Sequence, residues 1–249
     1  MKAIYEPKGR ALEYAPLACN LYTGCRHGCR YCYAPRVLRR DRAEFGRDVR
    51  PRAGILQALS RDCARARAGA YGEDKRVLLC FTCDPYQKGV EDVTGDALQM
   101  LGEAGMIPVI LTKNPKLALR WDADYLFKYR AEFGVTISLT SESDREKWEP
   151  GAVPIEERFE ALRAAKALGL YTWVSVEPVI YPEQALEVIR KSAEIGVDAI
   201  KVGKLNYDAG MEAQVDWWLF AKHVRTFRDA SVRPVITLKA DLENYPSHK

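Results

Sequence analysis

No run of apolar residues in this chain approaches the roughly 20 that a helix needs to cross a bilayer. The opening MKAIYEPKGR is not followed by the apolar segment of a signal peptide. No Gly-x-Gly-x-x-Gly follows the first apolar run, which argues against a dinucleotide-binding sheet. Histidine occurs only 3 times, and no grouping of Ser, His and acid suggests a hydrolytic triad. No linker or low-complexity tract divides the 249 residues, so a single domain over 1–249 is expected. Lysine is missing from residues 26–67, where twelve arginines face four acids; that segment carries +8 and the rest of the chain −4.

What remains has the composition of a globular chain with a substantial core, 47% hydrophobic and 29% charged. A cytoplasmic location is expected, where thiols stay reduced and clustered cysteines more often bind metal or react than pair. The arginine segment has two readings. It is a solvated helix face, or a phosphate-contacting edge beside a site, since guanidinium forks match phosphate oxygens and local charge drives nucleic-acid affinity.

Short β-rich runs alternate with helical patterns. Strands are expected at 17–22, 76–82, 107–112, 134–140, 171–177, 198–203 and 233–238. Amphipathic helices are expected at 52–68, 93–105, 154–169, 182–196 and 213–230, with apolar residues at three- and four-residue intervals such as Ile155, Phe159, Leu162 and Ala165. Gly105, Gly169 and Gly196 are placed to end helices. Strand and helix in repeated alternation predict a parallel sheet with right-handed crossovers, a barrel or partial barrel whose chemistry gathers at strand ends. Trp217 and Trp218 read as packing residues, His223 as helix surface and Cys63 as inert.

The stretch GCRHGCRYCYA, residues 24–34, holds Cys25, Cys29 and Cys32 directly after the first expected strand. Three thiolates suit a soft metal, zinc or an iron–sulfur cluster. Structural zinc normally takes four protein ligands, and no natural fourth is at hand: His27 lies inside the loop and Cys19 mid-strand. Three ligands therefore suggest a [4Fe–4S] cluster with one iron open to a small molecule.

This motif, with the aromatic Tyr31 before its third cysteine, resembles the radical S-adenosylmethionine (SAM) superfamily. TCDPYQ (82–87), LTKN (111–114) and SVEP (175–178), each at a strand end, are similar to the subgroup related to spore photoproduct lyase. The resemblance runs from about residue 14 to 240. It implies an α/β fold, a partial (β/α)6 TIM-like barrel of the radical SAM type, with an extra C-terminal strand and helix as an addition. It also implies SAM bound to the open iron, cleavage to a 5′-deoxyadenosyl radical and a flavodoxin- or ferredoxin-type electron donor. Tyr31 would pack near the adenine, and the backbone around Phe81–Cys83 with Thr82 or Asp84 would take the SAM amino group. Asp84 alternatively caps the turn at Pro85. Lys113 would meet the SAM carboxylate, Ser138 the carboxylate or ribose, and Glu177 the ribose or substrate. Cys83, Tyr86 and Glu177 are the candidate catalytic residues; Arg36, Arg39, Arg40 and Lys204 are candidates for phosphate contact. Lys201 and Asn206 are weaker candidates.

Spore photoproduct lyases use a cysteine of the corresponding loop as hydrogen donor, but that position falls here on Phe81. Alternation sends Cys80 and Phe81 to opposite sides, and Cys83 is left to face the cavity. The expected reaction is hydrogen abstraction from a modified or damaged, thymine-derived base in DNA, giving isomerisation of a modified thymine or lyase-type repair. The missing donor leans towards isomerisation, which can return hydrogen from 5′-deoxyadenosine. The alternatives are a radical SAM enzyme acting on a protein or small metabolite, and a non-catalytic cluster protein that binds nucleic acid.

Overall fold

Eight strands follow one another across a single sheet in chain order: β1 (Ile4–Tyr5), β2 (Leu17–Cys19), β3 (Arg76–Leu79), β4 (Ile107–Thr112), β5 (Glu132–Thr136), β6 (Tyr171–Val179), β7 (Ala199–Lys204) and β8 (Val235–Leu238). They are seen in a computed structural model that describes residues 2–90, 92–206 and 208–246. β1 runs antiparallel to β2, and every later pair is parallel. The seven parallel strands curl into a half-barrel. The expected C-terminal addition is present as β8 and the short helix Ala240–Glu243. No helix among the described residues is long and apolar enough to cross a membrane.

Strand alternation sorts the core. Val77, Leu79, Ile110, Phe133, Val135, Val174, Val176, Ile200 and Val202 pack in one large buried cluster with helix residues such as Leu59, Leu98, Leu162 and Ile189. Ala18, Leu78, Val109 and Trp173 form a second cluster inside the half-barrel with Tyr14 and Phe81. Trp173 lies flat across β5 because position 134 is glycine: a Cβ there would come within 2.2 Å of the indole. Gly105, Gly169 and Gly196 all take left-handed φ at helix ends, as expected.

Several elements were not anticipated, among them the following three. β1 exists because Asp62, buried on the helix Ile55–Arg67, accepts from the backbone N–H of Ala3 and Ile4 at 2.7 and 2.9 Å. The helix Pro115–Lys128 buries Pro115, Ala118, Asp122 and Leu126, a face too polar and small to show apolar periodicity. The helix Glu142–Trp148 is seven residues long, capped by Ser141. β3 also stops short of the expected residue 82, because the chain turns away at Cys80.

Candidate active site

The loop after β2 carries the three cysteines, and three other segments brace it. From the helix Arg42–Arg47, the Arg42 guanidinium donates to the carbonyls of Cys29 at 2.9 Å and Cys32 at 2.8 Å. Gln87 accepts from the Arg26 N–H at 2.7 Å and donates to the Gly24 carbonyl at 3.3 Å. The Arg30 N–H donates to the Trp148 carbonyl, and the Gly151 N–H to the His27 carbonyl, both at 2.9 Å. Gly24 is required: a Cβ would sit 2.2 Å from the Phe45 carbonyl oxygen.

Cys25, Cys29 and Cys32 are free thiols. Burial pushes all three up, Cys29 to about 12, so ligation must expel their protons. Among the described residues no three His, Cys, Asp or Glu side chains converge as a single ion requires. The thiolates of a cubane sit on separate irons and need not converge on one point. Beside the loop is a cavity of about 160 Å³ lined by Tyr31, Cys32, Tyr33, Arg36, Asn206 and Asp208, among others.

Behind the three cysteines lies a charge network. Tyr31 donates to Glu149, and Glu149 pairs with Arg158 at 2.6 Å. The Lys113 ammonium stands 5.6 Å from the Tyr31 ring centroid. Burial works against the Lys113 charge, but Cys29, Glu149 and Asp84 outweigh it and raise its pKa. Burial likewise opposes the Glu149 carboxylate, and Arg158 and Lys113 override it and lower its pKa. Ser138, at the site end of β5, has a buried hydroxyl without a hydrogen-bond partner among the described residues.

The loop after β3 is held from below. Asn20 Oδ1 accepts from the N–H groups of Phe81 and Thr82 at 2.7 and 2.9 Å, and its amide donates to the Tyr5 hydroxyl at 2.7 Å. Tyr33 donates to the Phe81 carbonyl at 2.9 Å. Phe81 packs inside the barrel and Cys80 in the outer core, on opposite sides as expected, although continuing the Leu78-in, Leu79-out order of β3 would have placed them the other way round. Cys83 is half-buried and free.

Four of the expected site residues are engaged by partners inside the protein. Asp84 is a structural strut: Oδ1 accepts from the Tyr86 N–H and the Thr112 hydroxyl, and Oδ2 accepts from the Lys113 N–H and lies 2.9 Å from His27 Nε2. The turn-capping alternative therefore describes it, with both oxygens engaged inside the protein. Tyr86 is fully buried in the core and donates to Asp122 at 2.8 Å, away from the cavity. Arg40 is consumed by the Thr23 carbonyl at 2.6 Å and by Asp48 at 3.2 Å. Lys204 pairs with Glu212 at 2.6 Å. Arg36 and Arg39 are exposed. Lys201 and Asn206 are also internally bonded, to Glu13 and Tyr14 carbonyls and to the Lys204 carbonyl.

Glu177 sits inside the barrel with partners that no motif announced. Its carboxylate accepts from Tyr14 and meets the Lys239 ammonium at 2.6 Å. Burial pulls Lys201, on the neighbouring strand, down to about 8. A roomier cavity of about 300 Å³ opens between Glu13, Lys201 and Lys239, and Cys25, Cys29 and Cys32 do not line it. Asn20 and Arg158 had a sequence signal that went unused: a polar residue inside an apolar run, and an arginine at a core position of an apolar helix face. Arg42, Glu149 and Lys239 had none.

A thiol-rich loop at the site end of a parallel half-barrel defines an iron–sulfur enzyme of the barrel type. Residues 19–196 match the Radical SAM superfamily model, and the chain belongs to that superfamily. Its cofactors are SAM and a [4Fe–4S] cluster. The fold is similar to spore photoproduct lyase with bound AdoMet and dinucleoside spore photoproduct, at TM-score 0.66 and 19% identity over 90% of this chain and 76% of that one. It is also similar to Streptococcus suis SuiB bound to precursor peptide SuiA, at TM-score 0.66 and 13% identity, covering 91% of this chain and 49% of SuiB. An uncharacterized protein, ORF301, of Acidianus two-tailed virus is 28% identical over 211 residues, 79% of this chain and 69% of that protein.

Proposed function

We propose that the chain, working as one catalytic domain over 1–249, abstracts hydrogen from a modified or damaged thymine-derived base in DNA. The carrying observation is the exposed arginine edge: Arg36 lines the same cavity as Tyr31 and Cys32, and Arg39 is exposed three residues further on. Phosphates held there would bring a base to the cluster mouth, because guanidinium forks position the backbone without reading sequence. The likeness to a lyase carrying a dinucleoside photoproduct supports the substrate class.

Bound and reduced, the two cofactors supply a 5′-deoxyadenosyl radical, a strong hydrogen abstractor. The protein's share is binding, orientation and exclusion of water. Lys113, a half-buried cation beside the cysteine loop, would neutralise the SAM carboxylate, and the unpaired Ser138 hydroxyl would donate to it or to the ribose. The backbone of Thr82 and Cys83 receives the SAM amino group, and Tyr31 walls the cavity beside the adenine. Glu177 faces ribose or substrate from the barrel wall. The half-buried Cys83 thiol, on the loop after β3, is the candidate to exchange hydrogen. With Phe81 at the lyases' donor position, isomerisation of a modified thymine is favoured over lyase repair. A flavodoxin- or ferredoxin-type donor supplies the electron, and a reducing cytoplasm suits seven free cysteines.

The second reading is a peptide substrate, favoured by the likeness to SuiB with its precursor peptide. Anaerobic turnover separates the two. The reduced, reconstituted protein is given SAM with plain DNA, irradiated DNA, DNA bearing amino-substituted thymines, or transfer RNA, and 5′-deoxyadenosine is quantified. Stimulation by one nucleic acid supports the DNA reading. Cleavage indifferent to the whole panel overturns it and turns the search to peptides.

A further inference from the structure

Glu149 and Arg158 are each 1% exposed and 2.6 Å apart. Burying two such charges costs several kcal/mol apiece, and an apolar pair would hold a fold as well. The pair's place is informative. Tyr31, between the ligands Cys29 and Cys32, donates its hydroxyl to Glu149 Oε1. The neighbouring Trp148 carbonyl accepts from the Arg30 N–H at 2.9 Å, so this segment is tied twice to the ligand loop. Arg158 is anchored on the other side, donating from Nε to the Val153 carbonyl and from Nη1 to the Thr136 carbonyl, both at 3.0 Å. The carboxylate is thus the near charge and the guanidinium the far one.

We propose that Glu149 sets the reduction potential of the cluster, its buried negative charge lying one tyrosine hydroxyl behind the ligand loop and opposing the arrival of an electron. Cluster potentials respond to local charge and solvent exposure, and a charge inside a protein is far less screened than one in water. Glu149 acts through its field, from behind the Tyr31 hydroxyl, and is a positioning residue. The proposal rests on the cluster and not on the substrate reading, so SAM and nucleic acid are both left out of its test.

The test is an anaerobic redox titration of the cluster-loaded protein followed by electron paramagnetic resonance. Glu149→Gln keeps the shape and the acceptor for Tyr31 but removes the charge. Its midpoint potential rises, by up to about 59 mV for a tenfold gain in the one-electron reduction equilibrium. Because the lone Arg158 charge threatens folding, Glu149→Gln with Arg158→Met is titrated as well, and it shows a smaller rise. Glu149→Asp restores the wild-type value, and Tyr31→Phe, which keeps both charges, moves it little. An unchanged potential in cluster-replete Gln variants overturns the proposal, as does a Tyr31→Phe shift equal to that of Glu149→Gln.

Discussion

The Tyr14 hydroxyl donates to the Glu177 carboxylate, joining residues 163 apart in the chain at the centre of the half-barrel. Ser175 Oγ lies 3.1 Å from the same hydroxyl, and the Lys239 ammonium stands 3.9 Å from the Tyr14 ring centroid. Tyr14 follows the turn Gly9–Glu13 and reaches across the open side of the sheet. A hydrogen bond to a charged group is worth about 1.5–3 kcal/mol. Tyr14→Phe should therefore lower stability by about that amount in urea unfolding, with the slope against denaturant unchanged. No loss would mean that Lys239 alone satisfies Glu177.

Lys113 carries its charge beside the cysteine loop, over the Tyr31 ring, and gives its backbone N–H to Asp84 at 2.8 Å. If its ammonium meets the SAM carboxylate, Lys113→Met loses a charge-assisted contact of about 1.5–3 kcal/mol, a weakening of about 10- to 100-fold. Calorimetric titration of SAM into the cluster-loaded, unreduced protein measures this. An unaltered Kd would remove Lys113 from the SAM site.

Asp122 lies under the core hydroxyl of Tyr86, and burial, with Asp92 and Asp96 nearby, pushes its pKa up to about 6 against the opposing Tyr86 hydrogen bond. The unfolded value is about 3.9. The folded state therefore holds this proton longer, and the stability it contributes is complete below the unfolded value and lost as pH rises through about 6. Asp122→Asn imitates the protonated form. Its stability relative to wild type should grow between about pH 4 and about pH 6 and then level off, with an upper bound of about 3 kcal/mol reduced by whatever water reaches the carboxyl. Parallel pH curves for the two proteins would contradict this.

If Arg36 and Arg39 contact phosphates, each releases counterions on binding. Replacing either by Ala should weaken DNA binding uniformly across sequences and reduce the slope of log K against log salt by about 0.9 for duplex DNA. Arg40→Ala serves as the contrast: its partners are Thr23 and Asp48, so the slope should hold while stability falls. Equal slopes for all three variants would move the nucleic-acid edge elsewhere.

Sequence alone determined the alternation of strands and helices, the glycines that end helices, and the spacing of Cys25, Cys29 and Cys32. These are local signals, carried by periods of two and 3.6 residues and by neighbours in the chain. Alternation also put Cys80 and Phe81 on opposite sides, but which of them faces the barrel was decided by the turn at the end of β3. Tertiary structure alone decided which polar residues serve the site and which serve the fold. Asp84 and Tyr86 sit within one motif, yet both turned out to be internal struts, while Tyr14, Arg42, Glu149 and Lys239 entered from segments with no motif at all. The physical reason is that a buried polar group must find its partner wherever packing brings one, and sequence distance says nothing of which strand or helix will supply it.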